Sequence, residues 1–259
     1  MKTVEPACLW DVRATLGEGV LWDAPRNCVW FVDIKGRRIH RCDPDGGNRR
    51  SWDTPTQVGF VVPASDTGYV VGLEDGLHRF DADTGVFTLL HPIEAGLPGN
   101  RFNDGHVDAA GRLWCGSMDD AEEVPSGVLY RYAGGAVEPV DRDYVITNGP
   151  ATSADGRTLY HTDTLKKHIY AFDVAPDGTL ENKRLFLTLA GGGHPDGPGQ
   201  HCAADHRSRD RPREEVGQRC RCDRRRHQRR AGSSPRRHRR RNGSLRDRCR
   251  EAGSIHSPA

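Results

Sequence analysis

Polar side chains stand at four points of the sequence where an apolar strand is about to begin. The four segments are TLGEGVLWD, GNRFNDGHVDAAGRLWCGSM, YVITNGPATSADGRTLYHTD and GHPDG, and their polar residues are Glu18, Arg101, Asn103, Asp104, Asn148 and Asp196. Carboxylate and amide oxygens are hard ligands that suit Ca²⁺, Mg²⁺ or Mn²⁺, and Zn²⁺ also binds carboxylates. If the four points meet in the fold, they could hold one divalent cation, although an Asn-Gly or Asp-Gly pair taken alone is more often a turn.

A repeat of strand pairs could bring these points together. Matching places in the repeat are occupied by Trp30, Val70, Trp114 and Tyr160, at spacings of 40, 44 and 46 residues, and the second strands begin at Ile39, Leu77, Leu129 and Ile169. Apolar and polar residues alternate with period two, and the turns are rich in Asp and Gly. A period of about 40–50 residues in strand pairs is typical of a β-propeller blade, and the innermost strands of a propeller line a central channel. We therefore predict an all-β propeller; the alternative is an unrelated run of hairpins in a sandwich.

The composition changes sharply after Gly197. Residues 1–197 contain 19 Lys and Arg against 29 Asp and Glu, a net charge of −10, whereas residues 198–259 contain 19 Arg and 7 acidic residues, a net charge of +12. This second part has no aromatic residue, and Val, Leu and Ile occur once each. Such a composition cannot bury enough apolar area to offset the entropy of ordering. We predict a partial propeller over residues 1–197 and a disordered, arginine-rich tail over residues 198–259.

Three interpretations of the tail compete. An out-of-frame translation of a GC-rich gene would yield Arg, Pro, Gly, Ala, Cys and His in bulk, and sequencing the gene with its flanking DNA tests it. A basic tail that binds nucleic acid is disfavoured by the absence of lysine and of interleaved aromatic residues. A zinc module built from Cys202, Cys220, Cys222 and Cys249 lacks a second cysteine pair at finger spacing. We favour the out-of-frame interpretation.

Several function classes find no support in the sequence. The amino-terminal segment has no continuous apolar run of the kind found in secretory signals, and no stretch approaches a membrane span. Cys8, Cys28, Cys42 and Cys115 are scattered without metal-ligand spacing, as expected of reduced thiols in a cytoplasmic protein. Gly-x-Ser-x-Gly, P-loop and His-Glu-x-x-His motifs are also missing.

The segments LGEGVLWD, RFNDGHVDAAGRLWCGSM, ITNGPATSADGRTLYHTDT and HPDG resemble the family of gluconolactonase, regucalcin (senescence marker protein) and related sugar lactonases. The resemblance extends from about Leu16 to Gly197. It implies a six-bladed β-propeller, of which this chain would supply about four blades and the start of a fifth. It also implies one divalent metal ion in the central channel, which could be Ca²⁺, Zn²⁺, Mg²⁺ or Mn²⁺.

The resemblance further implies individual roles in the site. Glu18, Asn148 and Asp196 would be the protein ligands of the metal, and Asp196 would also be the general base. Arg101 and Asn103 would contact the sugar lactone, with Asn103 near the metal.

The segment GSMDDAEEV supplies two more candidates, Asp119 and Asp120. Acidic residues in this neighbourhood help to bind substrate in the family, which makes these two the expected substrate contacts. A solvated acidic loop is the alternative.

These residues predict metal-dependent hydrolysis of a sugar lactone, impaired in this chain by the loss of the carboxyl-terminal blades. The bound cation would polarise the ester carbonyl while Asp196 takes a proton from water. The alternatives are a calcium-binding regulatory propeller of the regucalcin type and nucleic-acid binding through the basic tail. The expected partner is a small sugar lactone, with gluconolactone, arabinolactone and xylonolactone all open, and no membrane; the oligomeric state is left open.

Overall fold

The computed structural model of the chain describes residues 7–64 and 68–197. These residues form four antiparallel sheets of four strands each, in which the strands follow one another in chain order. One short 3-10 helix, Ala24–Arg26, interrupts the strands. The prediction of an all-β, propeller-type fold is confirmed. The arginine-rich tail over residues 198–259, with its four cysteines, lies outside the described residues.

Each sheet is one blade. Blade 1 contains β1 (Gly17–Asp23), β2 (Cys28–Asp33), β3 (Arg38–Cys42) and β4 (Arg50–Asp53). Blade 2 contains β5 (Val58–Pro63), β6 (Tyr69–Leu73), β7 (Gly76–Phe80) and β8 (Phe87–Pro92). Blade 3 contains β9 (Asn100–Val107), β10 (Leu113–Asp119), β11 (Gly127–Ala133) and β12 (Ala136–Tyr144). Blade 4 contains β13 (Thr147–Thr152), β14 (Thr158–Asp163), β15 (His168–Val174) and β16 (Leu180–Thr188).

The strand pairs predicted from the repeat are the two middle strands of each blade. The structure adds a strand on either side of each pair. The first strands of consecutive blades contact one another, so the first strand of each blade is innermost; the polar segments identified in the sequence belong to these strands or follow the last blade. No helix in the described part of the chain is long and apolar enough to cross a membrane.

The innermost strands share one register and one irregularity. Opposite Trp30, Val70, Trp114 and Tyr160 stand Leu21, Val62, His106 and Ala151. Three positions earlier in the four strands stand Glu18, Gly59, Asn103 and Asn148. In blades 1 and 4 the pairing shifts by one residue between the two places, whereas in blades 2 and 3 Gly59 and Asn103 are themselves the unpaired residues of the bulge. Glu18, Asn103 and Asn148 therefore lie at or next to the bulge of three blades, the same number of residues before the matched position.

Apolar clusters fill the junctions between consecutive blades. The rings of Trp30 and Tyr69 pack at a tilt of 51° with their centroids 4.4 Å apart between blades 1 and 2. Phe60 and Phe102 meet edge to face at 5.7 Å between blades 2 and 3. Trp114 belongs to the cluster between blades 3 and 4. These clusters bury most of the apolar area of each sheet and fix the angle between blades.

Successive innermost strands also approach one another closely near the axis. A Cβ built at Gly59 of blade 2 would lie 2.4 Å from the carbonyl oxygen of Phe102 in blade 3. A Cβ built at Gly197 would lie 2.9 Å from the Cα of Gly149 in blade 4. The chain after β16 thus reaches the inner end of blade 4, as a following innermost strand would.

The Gly59→Ala substitution tests the close approach. The added methyl group must displace the backbone of blade 3, so we expect the free energy of unfolding in urea to fall by about 1–3 kcal/mol. Gly96→Ala is the matched control, because Gly96 is exposed and a Cβ there has no atom within 4 Å. Equal stability of the two variants would contradict the packing described.

Candidate functional site

The predicted metal ligands each precede a glycine in a left-handed backbone conformation. Gly19, Gly149 and Gly197 have φ angles of 59°, 43° and 89°. Side chains other than glycine pay a steric cost in this region. The Glu-Gly, Asn-Gly and Asp-Gly pairs of the sequence are therefore the bulge or turn that presents the preceding side chain at the inner end of its blade.

Glu18 and Asn148 occupy the same place in their blades. Glu18 pairs with Val32 and Asn148 pairs with Thr162, and each is the last paired residue before the bulge of its strand. Glu18 is half-buried and Asn148 is buried. Asp196 is exposed and lies in the segment of residues 189–197 that follows β16. The positions of Glu18 and Asn148 therefore follow from strand pairing, whereas the position of Asp196 depends on the path of the segment of residues 189–197.

Asn103 connects blades 3 and 4 at the inner end. Its Nδ2 donates to the Thr147 carbonyl at 2.6 Å and to Asn148 Oδ1 at 2.7 Å. Its Oδ1 accepts a hydrogen bond from Arg101 Nη1 at 2.7 Å. The structure thus brings together Arg101, Asn103 and Asn148, three of the residues predicted from sequence.

Asp120 lies at the other end of this group and joins three blades. Its carboxylate accepts hydrogen bonds from Arg101 Nε at 2.6 Å, from Gln57 Nε2 at 3.0 Å and from Lys35 Nζ. Burial alone would raise the pKa of Asp120, but the hydrogen bonds from Lys35, Gln57 and Arg101 outweigh it and lower the pKa to about 2. The carboxylate is therefore ionised and holds Arg101, whose side chain is only 3% exposed.

Asp119 faces away from this group. Its Oδ2 accepts hydrogen bonds from the backbone N–H groups of Glu123 and Val124 at 2.8 and 3.2 Å, so the carboxylate closes its own loop. Asp119 and Asp120 are adjacent in sequence, and neighbouring residues of an extended chain point to opposite sides. The structure brings Asp120 to the predicted substrate contacts and does not bring Asp119 there.

Asp104 has no role assigned from the sequence, but it lies beside the predicted site residues. One of its carboxylate oxygens accepts a hydrogen bond from the Gly149 N–H at 2.8 Å. Burial, followed by the nearby negative charge of Asp196, raises the pKa of Asp104 to about 6. In the sequence Asp104 is notable only because it follows Asn103. Its hydrogen bond to Gly149 of blade 4 and its charge interaction with Asp196 are visible only in the folded structure.

The donor set fits a hard divalent cation. Among the described residues, no three His, Cys, Asp or Glu side chains form a group that could hold a metal ion; the predicted set has only two carboxylates, Glu18 and Asp196, with the Asn148 amide. Asn148 Nδ2 donates to Thr164 Oγ1 at 2.7 Å, so Oδ1, which accepts from Asn103 Nδ2, is the amide atom with lone pairs for a cation. All three donors are then oxygens, and a cation beside them would offset the repulsion between Asp104 and Asp196.

Comparison with known proteins assigns the family. Residues 16–200 match the protein family described as SGL, the SMP-30/Gluconolactonase/LRE-like region. The chain belongs to this family. The L-arabinolactonase of Azospirillum brasilense is 33% identical over 207 residues, covering 76% of this chain and 69% of that protein. The 6-deoxy-6-sulfogluconolactonase of Pseudomonas putida is 30% identical over 193 residues, covering 73% of this chain and 66% of that protein.

A solved structure supports the same assignment. The calcium-binding protein regucalcin from Agrobacterium tumefaciens superposes with a TM-score of 0.70 at 31% identity, covering 73% of this chain and 65% of that one. Sugar lactonases and regucalcins are thus both relatives of this chain. The matched part of the chain spans about two thirds of the length of these relatives.

The Asp120→Asn substitution tests the ionic junction between the blades. An ionised carboxylate with a lowered pKa stabilises the fold above the ordinary pKa of aspartate, and this contribution disappears as the pH falls from about 4 towards 2. We expect the variant to lose about 1–2 kcal/mol of unfolding free energy at pH 7, after allowing for partial exposure. The loss should shrink at pH 3.

Urea denaturation at pH 7, 5, 4 and 3 measures this difference. Asp83→Asn is the control, because Asp83 is exposed and lies 4.0 Å from Arg50, so little stability should depend on it. A deficit of Asp120→Asn that stays constant across this pH range would contradict the assignment.

Proposed function

We propose that this chain carries the site of a metal-dependent sugar lactone hydrolase. The observation that supports this most strongly is the continuous hydrogen-bonded group that links Arg101, Asn103 and Asn148 and ends beside Asp196. In this proposal the group would supply donors for a sugar and an oxygen ligand for a cation, beside the exposed carboxylate of Asp196. The family membership agrees, since its named relatives include two sugar lactonases.

Glu18, Asn148 and Asp196 would hold one divalent cation. When bound, it supplies a Lewis acid that polarises the lactone carbonyl and stabilises negative charge on the oxygen. Their oxygens suit Ca²⁺, Mg²⁺ and Mn²⁺, and Zn²⁺ also accepts carboxylates.

The protein's own groups have separate tasks in hydrolysis. Arg101 uses Nε for Asp120 and Nη1 for Asn103, so its fixed guanidinium would orient a lactone hydroxyl through the remaining Nη2. The exposed carboxylate of Asp196 can take the proton of a water molecule that attacks the ester carbon. Asp120 holds Arg101 in place for this task.

A second candidate function is cation binding of the regucalcin type without lactone hydrolysis. It is favoured by the solved relative that is described as a calcium-binding protein. Both candidates use the same oxygen ligands, so cation binding alone does not separate them. Hydrolysis of a lactone with added metal does.

We also propose that activity is impaired in this chain. Large apolar side chains are exposed at both ends of the four-blade series: Val20 and Trp22 in β1 are 78% and 50% exposed, and Leu185 in β16 is 54% exposed. Further blades would cover such surfaces, and about a third of the length of these relatives lies outside the matched part. Residues 198–259 contain one Val, one Leu, one Ile and no aromatic residue, a composition that the out-of-frame interpretation explains. Uncovered sheet faces favour aggregation.

The Glu18→Ala substitution tests the proposed site in the full chain. We expect the affinity for Mn²⁺, measured by calorimetry, to fall by at least about 100-fold, because a direct ligand should cost no less than its outer-shell partners. Hydrolysis of gluconolactone and arabinolactone in the presence of metal should fall to background. Asp83→Ala, which removes an exposed carboxylate far from these residues in sequence, is the control and should behave like the wild-type chain.

The same assay, run beside the L-arabinolactonase of Azospirillum brasilense, tests the impairment. We expect this chain to be the slower enzyme and to aggregate more readily. Full metal affinity and full hydrolysis in Glu18→Ala would contradict the site, and a soluble chain as active as the relative would contradict the impairment.

A further inference from the structure

Resting on the proposed function of Asn148 and Asp196 as ligands, we propose that Thr164 is a positioning residue that fixes both of them through one hydroxyl group. Thr164 directly follows β14, at the turn that leads to β15. No role was assigned to it from the sequence. It would act on the cation only through Asn148 and the segment of residues 189–197.

The backbone of Thr164 is held on two sides. Its N–H donates to the Ile146 carbonyl at 3.1 Å, next to the start of β13. Its carbonyl accepts from the Lys167 N–H at 3.2 Å, which closes a four-residue turn. The side chain therefore starts from a fixed point between β13 and the chain after β16.

The hydroxyl group makes two hydrogen bonds of opposite direction. Thr164 Oγ1 donates to the Pro195 carbonyl at 2.9 Å and accepts from Asn148 Nδ2 at 2.7 Å. A hydroxyl has one proton, so a proton given to Pro195 is not available for Asn148. The amide of Asn148 must then present its nitrogen to Thr164, and its oxygen is turned towards Asn103 and the axis.

The opposite end of the hydrogen-bonded group demands the same orientation. The guanidinium of Arg101 can only donate, so Asn103 must present its oxygen to Arg101 and its nitrogen to Asn148. Asn148 therefore receives a donor from Asn103 on its oxygen and gives one to Thr164 from its nitrogen. Both ends agree, so Arg101, through Asn103, and Thr164 together present the Asn148 oxygen as the ligand atom.

Thr164 also anchors the segment of residues 189–197 beside Asp196. This segment contains three consecutive glycines, Gly191 to Gly193, and no regular strand, so holding it costs considerable backbone entropy. Lys167 binds its first part, through the Leu189 N–H at 3.0 Å and the Gly191 carbonyl at 2.6 Å. The bond from Thr164 to Pro195 holds the residue that immediately precedes Asp196.

Thr164→Val and Thr164→Ser, made in the full chain, test the inference. Valine keeps the shape of threonine and removes both hydrogen bonds, whereas serine keeps the hydroxyl. We expect Thr164→Val to weaken Mn²⁺ binding by about 10–100-fold, the usual effect of losing an outer-shell partner, and Thr164→Ser to stay within about 3-fold of wild type. Thr179→Val is the control, because it removes an exposed hydroxyl bond to Asp177 elsewhere in blade 4.

Hydrogen exchange of the metal-free proteins gives a readout that does not depend on cation or activity. Backbone amides of residues 189–197 should exchange faster in Thr164→Val than in wild type, Thr164→Ser or Thr179→Val, while the amides of β14 stay unchanged. Unchanged exchange in Thr164→Val, or equal defects in the valine and serine variants, overturns the role of the hydroxyl.

The two proposals fail in different ways. If the wild-type chain binds Mn²⁺ and Thr164→Val binds it equally well, the positioning role is wrong and the proposed metal site stands. If the wild-type chain binds no Mn²⁺, the proposed function is wrong, and with it the effect of Thr164 on a ligand.

Discussion

The close approach of successive innermost strands governs the rest of this structure. At or next to the bulge of the four innermost strands, the chain carries Glu18, Gly59, Asn103 and Asn148. Blade 2 must use glycine there, because any side chain would collide with the backbone of Phe102. The other three blades are free to place polar groups. The repeated blades thereby form an asymmetric site, in which blade 2 contributes a glycine without a side chain and the other three blades contribute polar side chains.

Polar groups forced together at this spacing must satisfy one another. Arg101 lies between the carboxylate of Asp120 and the amide oxygen of Asn103, and each of its bonds restricts the next group along. The direction of donation then continues through Asn148 to Thr164. Because arginine only donates and a hydroxyl has a single proton, the orientation of two amides is determined without any further contact. On the axial side this leaves oxygens and carboxylates, which is the environment that a hard cation requires.

The sequence predicted the blades and the polar residues at their inner ends better than it predicted the hydrogen bonds between those residues. The 40–46-residue spacing and the polar-glycine pairs reveal the blades and the inner positions of Glu18, Asn148 and Asp196, because bulges demand glycine at positive φ. The inner and outer strands are not predicted by the repeat, since most of them are more polar or more exposed than the middle pair; β5, which is apolar and buried, is an exception. Asp104 and Thr164 were not assigned a role because their importance depends on hydrogen bonds across blades. The opposite directions of Asp119 and Asp120 follow from strand alternation and could have been predicted.

Anomalous diffraction from crystals of the full chain grown with Mn²⁺ tests the central claim most directly. We expect one strong peak at the inner ends of the blades, with oxygens of Glu18, Asn148 and Asp196 within about 2.0–2.6 Å, the range of bonds between hard cations and oxygen. Asn148 should bind through Oδ1 while its Nδ2 remains on Thr164. A peak coordinated by other residues, or none at this position, would contradict the account.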